Sequence, residues 1–426
     1  MKKKIISVGL AVILIISMVA CGKADDNTSS KTDIQLEQSK ENEAHSETEE
    51  RKEIAGIVDF KVTSTDFAIE LFKACYSPDE NVMISPLSVQ AALSMTANGA
   101  DGETLSQMEQ ILANGADIEA LNKDLSTYIN GLPSSEDAKV SIGNSIWFLD
   151  DKKVNVNPDF LNKNNETYKA EIYKGAFDEK TLKDINNWVD NKTDGMISSI
   201  LDRLPEDAIM YLINAVALDA KWENQYHDYE VQEEPFTTED GVESQVQMMH
   251  SEENRYIEDK LATGFCKPYK EGYTFVALLP NEGVTVEEYI NSLNAEEFRK
   301  MLEDEQDIKV YATLPKFTCE YQIEMKEILQ AAGMTDAFDG NQADFTRLGT
   351  SDEGNIFISR VLHKTYITVD ENGTRAGAVT AVEMMCESAM MEEDYRKVVL
   401  DRPFCYAIID NESKLPIFVG SVMNIE

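Results

Sequence analysis

Apolar and polar positions divide the chain into an apolar N-terminal run, a long polar stretch and a patterned region that continues to the C-terminus. Within the patterned region, Ser85-Pro86 predicts the start of a helix that ends at Gly99, because proline fits the first helical turn. The stretch 181–184 predicts the cap of a second helix, which ends at Gly195.

Strand patterns dominate the second half of the chain. Residues 209–218 are apolar except for Asn214, which predicts a strand buried on both faces. Residues 308–314 alternate between apolar and polar, which predicts one dry face and one wet face. Residues 273–279 and 406–409 are further predicted strands. Helices early and strands late indicate an α+β fold with large, mostly antiparallel or mixed sheets.

The N-terminus has the pattern of an export signal. A basic start at residues 1–4 precedes the apolar run 5–20, which is short for a membrane span. Cys21 follows a small residue, as in a bacterial lipoprotein signal, although Met18 stands where leucine is usual. An ordinary secretory signal is the alternative. Either interpretation predicts an exported protein, anchored by a lipid on Cys21 or released outside the cell.

The polar stretch is predicted to be a disordered acidic tether. Residues 21–55 are rich in Ser, Thr, Asn, Glu, Asp and Lys, and such a composition buries too little apolar surface to order itself. As a random coil it would span roughly 30 Å. One large domain is therefore predicted over residues 56–426, since no linker or repeat interrupts that region.

The composition suits a globular core and narrows the set of partners. Of the 426 residues, 42% are hydrophobic and 27% are charged, and the net charge is −39. Such an acidic surface repels phosphate backbones and sulfated sugars, so nucleic acid is excluded as an expected partner.

Catalytic and metal-binding motifs are missing from the sequence. The four histidines do not pair at metal-ligand spacing, and no nucleophile elbow or phosphate-binding loop occurs. The six cysteines form no Cys-x-x-Cys pair, so buried free thiols are expected apart from Cys21 and Cys386. We expect no enzyme activity, no cofactor and no metal.

Four polar residues interrupt apolar segments. They are Ser85, Ser88, Asn214 and His363. Buried polar groups need hydrogen-bond partners, and these four residues would satisfy one another if the fold brought them together.

A series of motifs resembles the serpin family and follows its order over about 370 residues. The motifs are NVMISPLSVQAALSMTANGADGET (81–104), NSIWF (144–148), INNWVDNKTDGMI (185–197), LINAVALDAKW (212–222), LPKF (314–317), GMTDAFDGNQADFTRL (333–348), HKTYITVDENGTRAGA (363–378) and DRPFCYAIID (401–410). The resemblance implies an α+β fold with three β-sheets, about eight or nine helices and an exposed reactive loop. It also implies inhibition of a target protease, which is trapped when the cleaved loop inserts into the central sheet.

The stretch 369–388 agrees with an insertable loop from its own pattern. Read as a strand, residues 374–385 carry two charges, Arg375 and Glu383, and both fall on the same face, so the opposite face can be buried on insertion. That opposite face carries Thr374, Ala376, Ala378, Thr380, Val382 and Met384. We expect an exposed loop before cleavage and a strand after it.

The resemblance assigns three groups of residues. The hinge, which inserts first, is Gly373, Thr374, Arg375, Ala376, Gly377 and Ala378, where Arg375 departs from the usual Glu. The shutter, beneath the strands that part, is Ser85, Ser88, Asn214 and His363. The breach, where the hinge enters, is Trp222 and Glu371.

The reactive bond has several candidates. The family's spacing from the hinge glycine indicates Glu387–Ser388, whereas counting back from Pro403-Phe404 indicates a cut near Glu392. The other candidate positions are Met385, Cys386 and Met390. Glu387 would suit a Glu-preferring protease, and Met or Ala would suit an elastase-like or chymotrypsin-like one.

The expected partner is a serine protease, with a cysteine protease as the alternative, and a monomeric inhibitor is expected. A non-inhibitory member of the family, acting as a carrier or chaperone at the cell surface, is the second hypothesis. Such proteins usually carry bulky or charged residues on the inward face of the hinge, and none occurs here. A surface solute-binding lipoprotein would explain the export signal and the acidity but not the ordered motifs.

Overall fold

The computed structural model describes residues 10–19, 48–206, 208–374 and 395–425, and for residues 10–19 and 48–59 it describes the backbone alone. In these ranges there are nine α-helices: α1 Thr48–Cys75, α2 Pro86–Ala97, α3 Gly102–Ala113, α4 Ile118–Gly131, α5 Pro158–Tyr168, α6 Glu179–Lys192, α7 Val286–Ser292, α8 Ala295–Glu303 and α9 Lys326–Ala331. Two 3-10 helices cover Asp228–Glu230 and Asp336–Phe338.

Among the described residues of the second half of the chain, strands predominate over helices, as predicted. Their bounds are β1 Leu10–Val19, β2 Val82–Ile84, β3 Ala138–Leu149, β4 Val154–Val156, β5 Glu171–Gly175, β6 Ala208–Lys221, β7 Val231–Thr237, β8 Glu243–Glu258, β9 Ala262–Pro268, β10 Tyr273–Pro280, β11 Gln306–Pro315, β12 Phe317–Glu324, β13 Gly349–Ser351, β14 Phe357–Val369, β15 Gly373–Thr374, β16 Tyr395–Val399, β17 Phe404–Asp410 and β18 Pro416–Val422.

The described strands form three sheets. The seven-stranded central sheet runs β12, β14, then β1 and β15 in one lane, then β6, β3 and β5, and only β3 and β5 pair in parallel. The nine-stranded second sheet runs β16, β11, β8, β9, β10, β17, β18 and β2, with β7 on β8. Strands β4 and β13 form a small third sheet. The predicted α+β class with three sheets is therefore confirmed.

Helix α2 is the central helix of the fold. Ser85 caps it, since its side chain accepts a hydrogen bond from the Ser88 amide, and Pro86 occupies the first turn as predicted. All residues of Pro86–Ala97 are buried, and the helix contacts β6 and β18. A helix that is buried on all sides belongs in the core of a large domain.

The predicted start of the second helix is wrong by a few residues. Helix α6 begins at Glu179 because the Asp178 carboxylate caps it, accepting a 2.9 Å hydrogen bond from the Thr181 amide. The predicted cap at residues 181–184 is too late because an aspartate caps a helix as well as a threonine does, and Asp178 lies earlier in the chain. Gly195 follows the helix with a left-handed φ of 82°, as predicted.

All four predicted strands are present. Strand β6 extends the predicted segment 209–218 at both ends, and Asn214 is fully buried in it. In β11 the predicted alternation fails at Thr313, whose side chain is buried and lies within hydrogen-bond distance (3.2 Å) of His250 Nδ1 on β8.

The N-terminal part of the chain contributes more regular structure than predicted. Residues 48–55, assigned to the tether, belong to helix α1, and Leu10–Val19 of the predicted signal forms strand β1 in the central sheet. The signal and the rest of the tether stay predictions. Among the described residues, no helix combines the length and apolar character needed to cross a membrane.

The described cysteines are buried free thiols, as expected. Burial raises the pKa of Cys75, Cys266 and Cys319 to about 12, so these thiols stay protonated and inert near neutral pH. Cys405 is also buried, whereas Cys21 and Cys386 lie outside the described residues.

Candidate functional site: a strand-accepting gap in the central sheet

The first two hinge residues already form a strand. Gly373 lies opposite Lys221 of β6, and Thr374 lies between Ala220 of β6 and Val369 of β14. Thr374 is fully buried. The prediction that the whole hinge is exposed before cleavage is therefore wrong for Gly373 and Thr374. The backbone pairing on both sides explains why these two residues leave the loop.

Glycine is required at position 373 by a close backbone approach. A Cβ atom at this residue would lie 2.1 Å from the carbonyl oxygen of Ala220 and 2.8 Å from the Cα of Lys221. Any side chain would therefore push the hinge away from β6. The remaining hinge residues, Arg375, Ala376, Gly377 and Ala378, lie outside the described residues.

Trp222 holds the turn that precedes the hinge. Its backbone amide donates a 2.9 Å hydrogen bond to the Asn372 carbonyl, and its indole Nε1 donates a 2.8 Å hydrogen bond to the Asp370 carbonyl. The Asp370 carboxylate in turn accepts a 2.8 Å hydrogen bond from the Asn372 amide. Burial raises the pKa of Asp370. The breach tryptophan thus binds the chain immediately before its insertion point.

Glu371, the second breach residue, forms an ion pair with Lys316 on the connection between β11 and β12. Burial acts to raise the pKa of Glu371, but the hydrogen bond from Lys316, a backbone hydrogen bond and the charge of Lys316 together outweigh it and hold the pKa below its ordinary value. The Glu371 carbonyl also accepts a 3.0 Å hydrogen bond from the Tyr226 amide. Side chain and backbone together fix this residue.

Tyr269 is a site residue that the sequence analysis missed. Its ring stacks on Trp222 with centroids 4.4 Å apart and an interplanar angle of 10°, and its hydroxyl is hydrogen-bonded to the Thr374 hydroxyl. Burial raises the pKa of Tyr269 far above its ordinary value, so the hydroxyl stays protonated. No local pattern distinguishes this tyrosine, because the Trp222–Tyr269 contact joins two separate strands.

The four shutter residues meet beneath the central sheet. The Ser88 hydroxyl donates a 2.6 Å hydrogen bond to the Asn214 side-chain oxygen. Ser85 caps the same helix, and its backbone amide donates a 3.1 Å hydrogen bond to Nε2 of His363. All four residues are fully buried. The helix α2 N-terminus is therefore tied to both β6 and β14, which flank the gap.

His363 is a neutral imidazole with one unsatisfied nitrogen. Burial lowers its pKa to about 3, so the ring is uncharged near neutral pH. Because Nε2 accepts the Ser85 amide hydrogen bond, the proton of the neutral ring sits on Nδ1. Among the described residues Nδ1 is buried and has no hydrogen-bond partner. An unpaired buried donor destabilises the fold, and it offers a hydrogen bond to whatever reaches it.

Asn144 extends the shutter and was not assigned from the sequence. The Asn214 side chain donates a 2.6 Å hydrogen bond to its side-chain oxygen, and Asn144 itself donates a 2.8 Å hydrogen bond to the Tyr168 carbonyl. Asn144 is the first residue of the NSIWF motif, so the sequence contained a marker for this position. Its role depends on β3 and β6 pairing with Asn144 opposite Asn214, which only the sheet register specifies.

Strand β1 lies in the gap between β6 and β14. It is antiparallel to both, with Leu10 opposite Leu218 and Leu14 opposite Asn214 of β6. Leu14 also lies opposite His363 of β14, so the strand crosses the shutter at its middle. The gap directly below the hinge therefore accepts an extended strand with pairing on both edges.

The candidate reactive bond lies outside the described residues, as do all of its alternatives: Met385, Cys386, Glu387, Ser388, Met390 and Glu392. Among the residues that are described, no cluster of His, Cys, Asp and Glu has the geometry of a metal site. Among the described residues, the candidate functional site therefore consists of the strand-accepting gap, the breach and the shutter.

Comparison with protein families gives one match over most of the chain. A family model described as "Serpin (serine protease inhibitor)" matches residues 62–425. Human Serpin B8 is 31% identical over 369 residues, covering 83% of this chain and 96% of its own length. An uncharacterised serpin-like protein of Thermococcus kodakarensis is 29% identical over 364 residues and covers 84% of each chain.

Solved structures agree with the sequence matches. The thermophilic serpin tengpin in its native state is 46% identical, with a TM-score of 0.82, covering 96% of this chain and all of that one. Tengpin in its latent state is 49% identical, with a TM-score of 0.78, covering 86% and 98%. Human thyroxine-binding globulin, at 24% identity and a TM-score of 0.76, covering 86–87% of this chain and 99% of that one, shares the fold. With the hinge, breach and shutter geometry described above, these matches establish that the chain belongs to the serpin family.

Proposed function

We propose that this protein inhibits a serine endopeptidase as a suicide substrate. The protease cleaves the reactive loop and becomes covalently attached to it, and the loop then inserts between β6 and β14 before the acyl bond hydrolyses. The family is one of serine protease inhibitors, and the finer mechanism for this chain rests on the gap beneath the hinge. We propose a serine protease as the target, with a cysteine protease as the alternative.

The register of the central sheet is the observation that carries the proposal. Thr374 lies opposite Ala220 and Val369, so continuing the same antiparallel pairing puts residue 377 opposite Ala217 and Tyr366. Those are the two residues that lie opposite Ala11 of β1. The lane occupied by β1 is thus continuous with the hinge on both edges, and a strand in it finds backbone partners throughout.

Occupation of this lane by Leu10–Val19 links the mechanism to the predicted export signal. The reactive loop and β1 would use the same backbone groups of β6 and β14, so they cannot be paired there together. Removal of residues 1–20 at the predicted processing site vacates the lane. We propose that the inhibitory form begins at Cys21.

The proposed location is outside the cytoplasm, either on the cell surface through a lipid on Cys21 or free in the medium. The protein is proposed to act as a monomer, because the gap and both polar clusters lie within one chain. Mass spectrometry of the N-terminal peptide, after expression in a bacterial host, separates the lipid anchor from simple signal cleavage.

The test of inhibition is incubation of the full chain and of a chain beginning at Cys21 with four proteases: trypsin-like, chymotrypsin-like, elastase-like and Glu-specific. We expect a covalent complex that survives SDS with at least one of them. The mass of the released C-terminal peptide then identifies the reactive bond among Glu387–Ser388 and its alternatives.

Cleavage with no SDS-stable complex for any of these proteases would contradict the proposal. That result would favour the second hypothesis, a non-inhibitory binding protein or chaperone with the same fold. Thyroxine-binding globulin, whose structure with thyroxine is known, shares this fold, so the fold by itself does not decide between the two.

A further inference from the structure

A buried ion pair lies beneath the breach and has no part in the mechanism described so far. Lys267 on β9 is 1% exposed and Glu253 on β8 is 5% exposed, with Nζ and Oε1 2.7 Å apart. Placing two charges in the interior costs desolvation energy, and apolar residues of similar volume are often equally stable there. Because the desolvation cost offsets much of the stabilisation that this ion pair provides, stability alone does not account for its presence.

The ammonium group of Lys267 lies over two aromatic rings. Its Nζ is 4.3 Å from the ring centroid of Tyr226 and 5.5 Å from that of Trp222. A desolvated cation is attracted to the face of an aromatic ring, more strongly than at an exposed site. Glu253 fixes the position of the ammonium, and Ser251 in turn donates a 2.7 Å hydrogen bond to the same carboxylate oxygen of Glu253.

Both rings belong to residues that bind the turn before the hinge. The amide of Trp222 donates to the Asn372 carbonyl, and the amide of Tyr226 donates to the Glu371 carbonyl. Trp222 also stacks on Tyr269, whose hydroxyl is bonded to Thr374. An unbroken series of contacts therefore runs from the ion pair to the first inserted residue.

We infer that Lys267 and Glu253 are positioning residues for loop insertion. The pair holds Trp222 and Tyr226 in the orientation that keeps Thr374 paired in the gap, so that insertion starts as soon as the loop is cleaved. This inference rests on the proposed inhibitory function and adds to it the residues that set the balance between trapping and turnover. Both residues are buried, so they are inferred to act through the breach residues.

The test is the double variant Lys267→Met/Glu253→Met, made in the chain that begins at Cys21, the proposed inhibitory form, and purified beside the parent. Methionine keeps the volume and removes both charges, so the denaturation midpoint is expected to match or exceed that of the parent. Loss of the two cation–ring contacts should raise the ratio of cleaved to complexed inhibitor about three- to tenfold. The rate of loop cleavage should not change, since the protease meets the same loop.

A matched control comes from the same sheet. Arg255 and Glu305 form a half-buried ion pair at 2.6 Å, and Arg255 also donates a 3.2 Å hydrogen bond to Thr274, which is not a breach residue. The double variant Arg255→Met/Glu305→Met should keep the parental ratio of cleaved to complexed inhibitor. Lys267→Gln/Glu253→Gln serves as a second variant if the first fails to fold, because the two amides keep the side-chain size and a mutual hydrogen bond while removing the cation from the rings. It should shift the ratio in the same direction.

The inference is overturned if the parent forms complexes and a folded Met/Met or Gln/Gln variant gives the same ratio of cleaved to complexed inhibitor as the parent. It is also overturned if the Arg255/Glu305 control shifts as much as the Lys267/Glu253 variant, because the effect would then be one of general stability. If the parent forms no complex with any protease, the proposed function fails and the inference fails with it. The three outcomes are distinguished by the parent and control lanes of one gel.

Discussion

At the breach, the groups that receive the hinge already have their partners: Thr374 is bonded to Tyr269, and Trp222 and Tyr226 bind the turn before it. At the shutter, farther down the same gap, His363 Nδ1 has no partner among the described residues. The pairing of Thr374, which is the first rung of the inserted strand, thus exists before cleavage. At the middle of the gap, in contrast, His363 Nδ1 can still form a hydrogen bond. Insertion therefore starts at the breach from contacts that already exist, and it gains a new hydrogen bond when the loop reaches the shutter.

The largest effect is expected from Thr374→Arg, which disrupts the existing pairing of this residue with β6 and β14. Thr374 is fully buried, and an unpaired charge there would cost about 3–5 kcal/mol. The first rung should then leave the sheet, so the loop would be cleaved but not inserted. We expect complete turnover as a substrate, measured as released active protease with no SDS-stable complex.

Thr374→Ser is the matched control, because it keeps the hydroxyl that meets Tyr269. It should trap protease with a stoichiometry close to that of the parent. Trapping by Thr374→Arg at parental stoichiometry would show that insertion does not begin at this residue.

The second prediction concerns the strand that fills the gap. A chain that keeps residues 1–20 should be cleaved with little trapping, because Leu10–Val19 uses the backbone partners that the loop needs. A chain beginning at Cys21 should trap protease. Leu14→Pro in the longer chain removes a backbone donor from β1 and should restore part of the trapping. Equal trapping by the two chains would show that β1 does not compete with the loop.

The third prediction tests whether the inserted loop forms a hydrogen bond with His363 at the shutter. Continuing the hinge register puts residue 380 opposite Asn214 and His363, where Leu14 of β1 now lies. The Thr380 hydroxyl would then be able to accept a hydrogen bond from His363 Nδ1. Thr380→Val should lose about 0.5–1.5 kcal/mol and raise the ratio of cleaved to complexed inhibitor about two- to tenfold.

Thr380→Ser keeps the hydroxyl and should behave like the parent. If Val and Ser at this position give the same ratio, the shutter gains no hydrogen bond from the loop, and the contrast between breach and shutter is lost.

Parts of this site were predictable and parts were not, for physical reasons. The shutter quartet stands out as polar residues in apolar runs, and helix α2 follows from its cap and proline. Asn144 and Tyr269 depend on which strands become neighbours, which a local pattern does not contain. Lys267 and Glu253 were missed because such residues are normally exposed. An apolar run such as Leu10–Val19 fits a signal and a buried strand equally well.

The last prediction concerns a pH dependence of stability that arises from the shutter. His363 has a pKa of about 3 in the fold and about 6.5 when unfolded, so the unfolded chain binds the extra proton between these values. The stabilisation from its neutral burial is complete above pH 6.5 and is lost as the pH falls towards 3, by about 2 kcal/mol at pH 5.

Urea midpoints of the parent and of His363→Gln, measured at pH 7.5 and 5, check this prediction. Glutamine is uncharged at both pH values, so the parent should lose more of its midpoint than the variant on acidification. Parallel losses in the two proteins would mean that the acidic surface, and not His363, sets the pH dependence.

The central claim is that the cleaved loop becomes a strand between β6 and β14, and the thermal midpoint of the chain beginning at Cys21 tests it most directly. The midpoint is measured before and after the reactive loop is cut by a protease that is then removed. About ten new backbone-paired residues, at roughly 1 kcal/mol for each hydrogen bond, should raise the midpoint by at least about 10 °C, and Thr374→Arg should show no such rise. An unchanged midpoint in the cleaved parent would contradict insertion.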